Sequence, residues 1–106
     1  MTDLEILIAA RAKLAQGWCQ GWYALDATDD EVPADSPTAC KWCMIGALKA
    51  VIPGEPQGEL RAFLGETLFS LYSVRFVPEF NDAPERTQEQ CLFVYDAAIH
   101  RKRSAA

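Results

Sequence analysis

Gly17-Trp18-Cys19-Gln20-Gly21 and Lys41-Trp42-Cys43-Met44-Ile45-Gly46 share the dipeptide Trp-Cys, which takes up two of the three tryptophans and two of the four cysteines in the chain. A wide ring beside a small sulfur, with glycine nearby, is typical of close packing, because glycine lets another backbone approach. Metal ligands and redox thiols are the alternative roles for these cysteines. We expect the two pairs chiefly to pack the segment after the first helix against the second helix.

The length and composition predict one globular domain. The chain has 106 residues, half of them hydrophobic, so it can bury a core without metals or disulfides. A net charge of -5 disfavours a phosphate-binding surface, so nucleic acid is not an expected partner. No apolar run approaches the ~20 residues of a membrane span, and no secretory signal is visible. We therefore expect a cytoplasmic protein with reduced thiols and no membrane contact.

Helix-start and helix-stop signals divide the first half of the chain. Asp3 is placed to cap a first helix that runs to about Gln16, and Gly17 is suited to end it. Ser36-Pro37 combines a capping hydroxyl with proline at the first helical position, so a second helix is predicted from there to Pro53-Gly54. Its apolar stripe comprises Ala39, Cys40, Cys43, Met44, Ala47, Leu48 and Val51.

Two more helices are predicted in the second half. The third spans about 57–73, and its predicted buried face contains Leu60, Phe63, Leu64, Leu68, Leu71 and Tyr72. Thr87 and Gln90 form a capping box that opens the last helix. The inner face of that helix is predicted to contain Cys91, Leu92, Tyr95, Ala98 and Ile99. The basic run 101–103 suits the negative end of its dipole, and the tail 101–106 is expected to fray.

These elements predict an all-α fold, a compact single domain over residues 1–106 with about four main helices. Two irregular segments, 17–35 and 74–86, lie before and after the central pair of helices. We expect them to converge at one end of that pair with Trp42 and Cys43.

Cys40-Lys41-Trp42-Cys43 is a C-x-x-C motif, but its predicted position argues against redox chemistry. A redox cysteine starts its helix, where the dipole lowers the thiol pKa, whereas a cap at Ser36 places Cys40 one turn inside. A zinc site needs further ligands, and the remaining cysteines and His100 are scattered along the chain. Cys19 follows a helix C-terminus, which disfavours its thiolate. We expect no catalytic residue, metal or other cofactor.

Asp26, Asn81, Asp82 and Arg86 are the polar candidates for a site. Residues 81–87 form a turn-and-cap sequence, in which Asn and Asp side chains bond nearby backbone groups and proline fixes the approach to the helix. The alternative is a polar pocket built from Asp26, Asn81, Asp82 and Arg86. A carboxylate beside tryptophan in such a pocket would have a raised pKa and act in acid-base chemistry.

Three segments together resemble the signature of a family of small bacterial and phage proteins classed as a domain of unknown function. They are residues 17–26, 42–48 and 80–87, with the motifs GWCxG, WCxxGAL and NDxPxxT. The resemblance implies a small α-helical domain whose motif residues meet in space, and it implies no activity. Cys40 falls where the family usually has another apolar residue, which further disfavours a redox role. Trp22 and Glu85 also depart from the family pattern.

The absence of a catalytic set favours a non-enzymatic binding or protein-interaction module. Three tryptophans are too many for every one to be fully buried in a small core, and exposed aromatic rings often mark partner surfaces. The expected partner is an unidentified protein or a small molecule; a homodimer is an alternative that no heptad seam indicates. The candidate binding residues are Trp18, Cys19, Asp26, Trp42, Cys43, Asn81, Asp82 and Arg86.

Two other classes of function stay open. The second hypothesis is a small-molecule-binding protein or enzyme with a polar site built from Asp26, Asn81 and Asp82. The third is a zinc or thiol-redox protein that uses the C-x-x-C motif and the other cysteines.

Overall fold

Five helices and a two-stranded sheet make up the part of the chain that this computed structural model describes, residues 1–52 and 58–105. The helices are α1 (Asp3–Gln16), α2 (Met44–Val51), α3 (Gly58–Tyr72), α4 (Val77–Asn81) and α5 (Gln88–Ser104). The strands β1 (Ala24–Leu25) and β2 (Lys41–Trp42) pair antiparallel. The predicted all-α class is therefore roughly right, since helix predominates, but local signals did not predict the small sheet.

Helix α1 is capped by Thr2 rather than by Asp3. The Thr2 hydroxyl accepts a hydrogen bond from the Glu5 N–H (3.1 Å), and the Glu5 carboxylate accepts one from the Thr2 N–H (2.8 Å). This capping box satisfies two backbone donors at once, so it is preferred to a single cap by Asp3. The predicted C-terminus at Gln16 is confirmed.

The second helix begins at Met44, and the predicted start at Ser36-Pro37 is wrong. Those two residues form a turn instead, because the Ala39 N–H donates to the Ser36 carbonyl (3.1 Å) and the Ser36 hydroxyl accepts from the Thr38 N–H (3.2 Å). Helix α2 ends at Val51, and the Pro53-Gly54 stop signal lies outside the described residues.

Cys43 is the N-cap of α2, and its Sγ accepts a hydrogen bond from the Gly46 N–H (3.2 Å). Cys40 lies in extended chain before β2, where its N–H donates to the Leu25 carbonyl (2.9 Å). The C-x-x-C motif therefore precedes the helix, and the prediction that Cys40 lies one turn inside it is wrong.

The two Trp-Cys dipeptides lie side by side through backbone pairing. On one edge, Trp42 is opposite Ala24 in the antiparallel sheet. On its other edge, the Trp42 N–H donates to the Gly17 carbonyl (3.0 Å) and the Trp42 carbonyl accepts from the Cys19 N–H (3.2 Å), which forms a parallel bridge between Trp18 and Trp42. The expected packing of the segment after α1 against the start of α2 is thus observed.

The third helix and the connection after it depart in part from prediction. Leu60, Leu64 and Leu68 are buried in α3 as expected, but Leu71 and Tyr72 at its end are exposed. The segment 74–86 was predicted to be irregular, yet it contains the short helix α4. Proline in the first turn of α4 suits a helix start, since proline has no N–H to leave unpaired.

Helix α5 begins as predicted. The Thr87 hydroxyl accepts from the Gln90 N–H (3.2 Å), and the Gln90 side chain accepts from the Thr87 N–H (3.0 Å). The helix continues through Ser104, past the point at which the tail was expected to fray. Arg101 explains part of this order, because its guanidinium donates to the buried Thr67 hydroxyl (2.6 Å) and lies over the Phe63 ring (4.4 Å).

The core lies between α1, α2, α3 and α5, with α1 packed against both α2 and α5. Its largest fully buried side chains include Leu7, Leu14, Met44, Phe80 and Tyr95. The radius of gyration is 12.7 Å, close to the ~13 Å expected for a compact chain of this length. No helix in the described ranges has both the length and the apolar content needed to cross a membrane.

Candidate functional site

Asn81, at the end of α4, is the point where the three sequence motifs meet. Its side chain is almost completely buried, with 1% exposed. Its Oδ1 accepts hydrogen bonds from the Trp18 indole N–H (3.0 Å) and the Met44 backbone N–H (3.0 Å). Its Nδ2 donates to the Cys19 carbonyl (3.1 Å) and to Oδ1 of Asp82 (2.9 Å). One amide therefore ties the segment after α1 to the first turn of α2.

This arrangement fills the junction of the motifs instead of lining a cavity. An asparagine side chain offers two donor hydrogens and an acceptor oxygen with two lone pairs, and Asn81 uses all of them. In the described ranges, no buried side-chain nitrogen or oxygen lacks a hydrogen-bond partner. Asn81 consequently has no hydrogen-bonding capacity left for a ligand.

Asp82 and Gln20 extend the same network toward the surface. Oδ1 of Asp82 also accepts from the Gly21 N–H (3.0 Å), which fixes the second glycine of the first motif. The Gln20 amide donates to the backbone carbonyls of Asn81 (3.1 Å) and Ala83 (2.9 Å). Sequence reasoning missed Gln20, and the only signal for it was its position inside the GWCxG motif.

Trp42 and the motif glycines are held by backbone contacts. The Trp42 indole is buried and donates to the Ala34 carbonyl (2.9 Å), with the Lys13 ammonium 5.1 Å from its ring centre. A Cβ atom on Gly46 would collide with the Tyr23 carbonyl oxygen, and one on Gly17 would collide with the Cys40 carbonyl oxygen. These glycines are required for close approach of backbone, as the motif pattern suggested.

The buried thiols are poor nucleophiles. Burial raises the pKa of Cys19 to about 12 and likewise that of Cys91 to about 12. Burial also raises the pKa of Cys43, against the opposing effect of the Gly46 N–H that its sulfur accepts. All three thiols therefore stay protonated near neutral pH. Because the thiolate is the reactive form, they are unreactive there.

The cysteines do not converge on a metal site. All four are free thiols, and in the described part of the chain no group of three or more His, Cys, Asp or Glu side chains is arranged to hold a metal ion. His100 is exposed on α5.

Asp26 caps its own loop. Its Oδ1 accepts from the Thr28 N–H (2.9 Å), the Thr28 hydroxyl (2.8 Å) and the Asp30 N–H (3.0 Å). These bonds, the one from the Thr28 hydroxyl first, lower the pKa of Asp26, which is opposite to the raised pKa expected beside tryptophan. None of the hydrogen bonds among described residues joins Asp26 to Asn81 or Asp82.

Arg86 holds α4 against the start of α5. Its Nε donates to the Phe80 carbonyl (2.8 Å), its Nη1 donates to the Gln90 side chain (3.3 Å), and its guanidinium stacks 3.6 Å from the Phe80 ring centre. These contacts use the guanidinium in packing, which fits the turn-and-cap interpretation of residues 81–87.

Beside the Asn81 network lies an open depression of about 260 Å³, which we call the Trp22 cleft. It is lined by Gly21, Trp22, Tyr23, Glu31, Cys43, Ile45, Pro78 and Asp82. The Trp22 side chain is 52% exposed and that of Tyr23 is 45% exposed, whereas Trp42 is buried and Trp18 is half-buried. The cleft thus joins exposed aromatic surface to two carboxylates.

Comparison with protein families matches residues 1–101 to DUF6197, a family of unknown function. The chain belongs to the DUF6197 family. No curated protein and no solved structure matches the chain. Membership of DUF6197 assigns no activity to the chain.

Two further residues of this DUF6197 chain were missed as site residues. Tyr95, fully buried on α5, donates its hydroxyl to the Met44 carbonyl (2.7 Å), so it supports the first turn of α2, whose Met44 N–H is held by Asn81. Trp22 was counted among the three tryptophans that could not all be buried, but it was not included among the candidate binding residues. Its position next to Tyr23 in a segment without helical periodicity was the available signal that it lies on the surface.

Proposed function

We propose that this DUF6197 protein is a non-enzymatic interaction module that binds an extended segment of a partner protein along the face containing Trp22. The observation that carries the proposal is the exposure of Trp22. The Trp22 side chain is 52% exposed, although the same chain buries Trp42. The fold therefore leaves the Trp22 ring uncovered. Exposed tryptophan and tyrosine supply large contact area with one polar edge, and they are enriched at protein interfaces.

The shape of this face supports an extended segment. The Trp22 cleft shares Tyr23 and Glu31 with a second depression of about 400 Å³, and it shares Ile45 and Pro78 with a third of about 180 Å³. Phe76, which is 63% exposed, lines the third. We call these three adjoining depressions the aromatic groove. A strand of partner chain rises about 3.3 Å per residue, so an extended segment can contact successive depressions.

The polar-site hypothesis has less support than the interaction module. Asn81 forms its hydrogen bonds with groups of the protein, and Asp26 forms hydrogen bonds within its own loop. Of the three residues, Asp82 lines the cleft. The protonated thiols likewise give less support to a thiol-redox function. The aromatic groove is accessible, and it suits recognition better than catalysis.

We propose that the module works in the cytoplasm of a bacterium or in a phage-infected cell, with reduced thiols, and that its partner is a different protein instead of a second copy. The net charge of -5 supports recognition of a protein over recognition of nucleic acid.

The test compares two baits that lose a ring of equal exposure. Trp22→Ala and Phe93→Ala each remove an aromatic side chain that is 52% exposed, but only Trp22 lines the groove. Immobilised wild type and both variants are incubated with lysate of the source organism, retained proteins are quantified by mass spectrometry, and the best candidate is purified for calorimetry.

The proposal expects a protein that wild type and Phe93→Ala retain and Trp22→Ala loses, with affinity for the purified partner at least about 10-fold weaker in Trp22→Ala. A purified partner that binds Trp22→Ala and wild type equally, or a set of retained proteins that does not differ among the baits, would contradict it.

A further inference from the structure

The charges of the Trp22 cleft point to the chemistry of the partner side chain that enters it. The charged residues that line the cleft are Glu31 and Asp82, and no lysine, arginine or histidine of the described chain lines it. Trp22 and Tyr23 supply its exposed rings. A cleft with negative charge and aromatic faces favours a cation that can lie on a ring and pair with a carboxylate.

Both carboxylates retain capacity for such a cation. Asp82 uses Oδ1 to accept from Gly21 and Asn81, while its Oδ2 has no hydrogen-bond partner in the described chain. Glu31 is exposed and forms no ion pair with any described base. The nearby Lys41 is already paired with Asp29 (2.5 Å).

The adjoining depressions differ from the central one in containing bases of the protein. Lys49 lines the second depression beside the carboxylates of Glu31 and Asp35, and it lies 4.9 Å from the Tyr23 ring centre. Arg61 and Arg75 line the third. Bases of the protein therefore line both neighbours of the cleft, and the cleft itself lacks one. A basic partner side chain has its best site in the centre of the aromatic groove, which would set the register of the segment.

Building on the proposed function, we infer that the partner segment places a lysine or arginine side chain in the Trp22 cleft. Its aliphatic stem packs on the Trp22 ring, and its cation lies near Glu31 and Asp82. The net charge of -5 also speeds the approach of a basic segment.

The experiment selects peptides without presupposing their sequence. A random peptide library displayed on phage is panned in parallel on the full-length wild type and on Trp22→Ala, Phe93→Ala, Glu31→Gln and Glu66→Gln. Glu66 is an exposed carboxylate on α3 that does not line the cleft, so Glu66→Gln is the matched charge control. Selected peptides are synthesised and their affinities measured, each beside a version with its basic residue replaced by alanine.

The inference expects peptides selected by wild type, Phe93→Ala and Glu66→Gln to be enriched in one lysine or arginine position and not to be selected by Trp22→Ala. Glu31→Gln, or alanine in place of the basic residue, should weaken binding by about 5-fold, the effect of one partly exposed charge pair. Free arginine and spermidine should compete only at far higher concentrations than the peptide.

Each other result overturns the inference, and one pattern separates it from the proposed function. Peptides that depend on Trp22 but contain no favoured basic position would refute the basic anchor and leave the interaction module standing. Equal competition by spermidine would show a small polyamine to be the occupant. Selection of no Trp22-dependent peptide would refute a peptide partner at this cleft. The lysate experiment with wild type, Trp22→Ala and Phe93→Ala tests the interaction module separately.

Discussion

Asn81 shows at the scale of one residue why the motif needs an amide. Its oxygen accepts from Trp18 and Met44 while its nitrogen donates to Cys19 and Asp82, so the position requires an acceptor and a donor on one short side chain. Aspartate has no donor and leucine has neither group. The thiols of Cys19, Cys43 and Cys91 are buried and act as packing groups.

Thiol alkylation tests the interpretation of the buried cysteines as packing groups. At pH 8 in native conditions we expect iodoacetamide to modify Cys40 first, because it is half-buried while Cys19, Cys43 and Cys91 are buried. Raising the pH to 9 should not bring Cys19 or Cys91 to the rate of Cys40, since each has a pKa of about 12. Peptide mass spectrometry resolves the sites, and Cys40→Ser should remove the fast phase. Equally fast labelling of Cys19 or Cys91 would show that these thiols are accessible to the reagent.

At the scale of elements, helices with complete local signals were predicted well and the β2–α2 junction was not. The capping box of Thr87 and Gln90 lies within one turn, so sequence alone located the start of α5. The junction depends on partners far along the chain: Cys40 and Trp42 bond to Leu25 and Gly17. Ser36-Pro37 is equally suited to a turn or a helix start, and those distant bonds favour the turn.

The sequence motifs indicated which segments of the chain meet, but not what their residues do there. The motifs correctly indicated that Trp18, Trp42 and Asn81 meet, since their hydrogen bonds and the bridge between the tryptophans join them. Sequence could not show that the hydrogen-bonding groups of Asn81 are all used, or that among described residues Asp26 bonds within its own loop, because hydrogen-bond partners are set by tertiary geometry. Sequence indicated that the three tryptophans could not all be buried, but only the structure showed that Trp22 is the exposed one.

Gly46 tests the fit of α2 against the segment before β1. Gly46→Ala should lower the free energy of unfolding by about 3 kcal/mol or more, because the new Cβ would collide with the backbone oxygen of Tyr23, which cannot move independently. Gly58→Ala is the matched control, since a Cβ there meets no atom within 4 Å, and its effect should stay within ~0.5 kcal/mol. Urea unfolding measures both. Equal stability of the two variants would show that the close approach at Gly46 is absent.

For the whole molecule, the buried thiols make stability fall in alkali. The folded-state pKa of Cys91 is raised from 9.0 to about 12, and that of Cys19 likewise, so the folded protein keeps protons that the unfolded chain releases. Their contribution to stability is full below pH 9 and is lost as the pH rises toward 12. Burial raises the pKa of Tyr95 too, which adds a loss of the same sign.

Urea unfolding in reductant at several pH values between 8 and 11 measures this loss. We expect the free energy of unfolding to decline with pH, and to decline less steeply in Cys91→Ala than in wild type, because one of the responsible groups is gone. Cys40→Ala, which removes a half-buried thiol, is the control for the loss of a cysteine. A wild-type slope that Cys91→Ala leaves unchanged would show that Cys91 ionises alike in both states.

The whole molecule thus divides into a network that holds the motifs together and an aromatic groove that this network leaves open. Asn81 belongs to the first and Trp22 to the second, although both lie close to Asp82. The groove can serve a partner only if the fold does not need the exposed Trp22 ring.

The most direct test is the free energy of unfolding of Asn81→Ala and Trp22→Ala, measured beside wild type by urea denaturation. Asn81→Ala should lose about 3 kcal/mol, because it leaves the Trp18 indole N–H, the Met44 N–H and the Cys19 carbonyl without their partner. Trp22→Ala should stay within ~0.5 kcal/mol of wild type, since its ring is half exposed and its hydrogen bond with a described residue uses the backbone carbonyl, which alanine keeps. A loss in Trp22→Ala as large as that in Asn81→Ala would contradict the account, because Trp22 would then be part of the core.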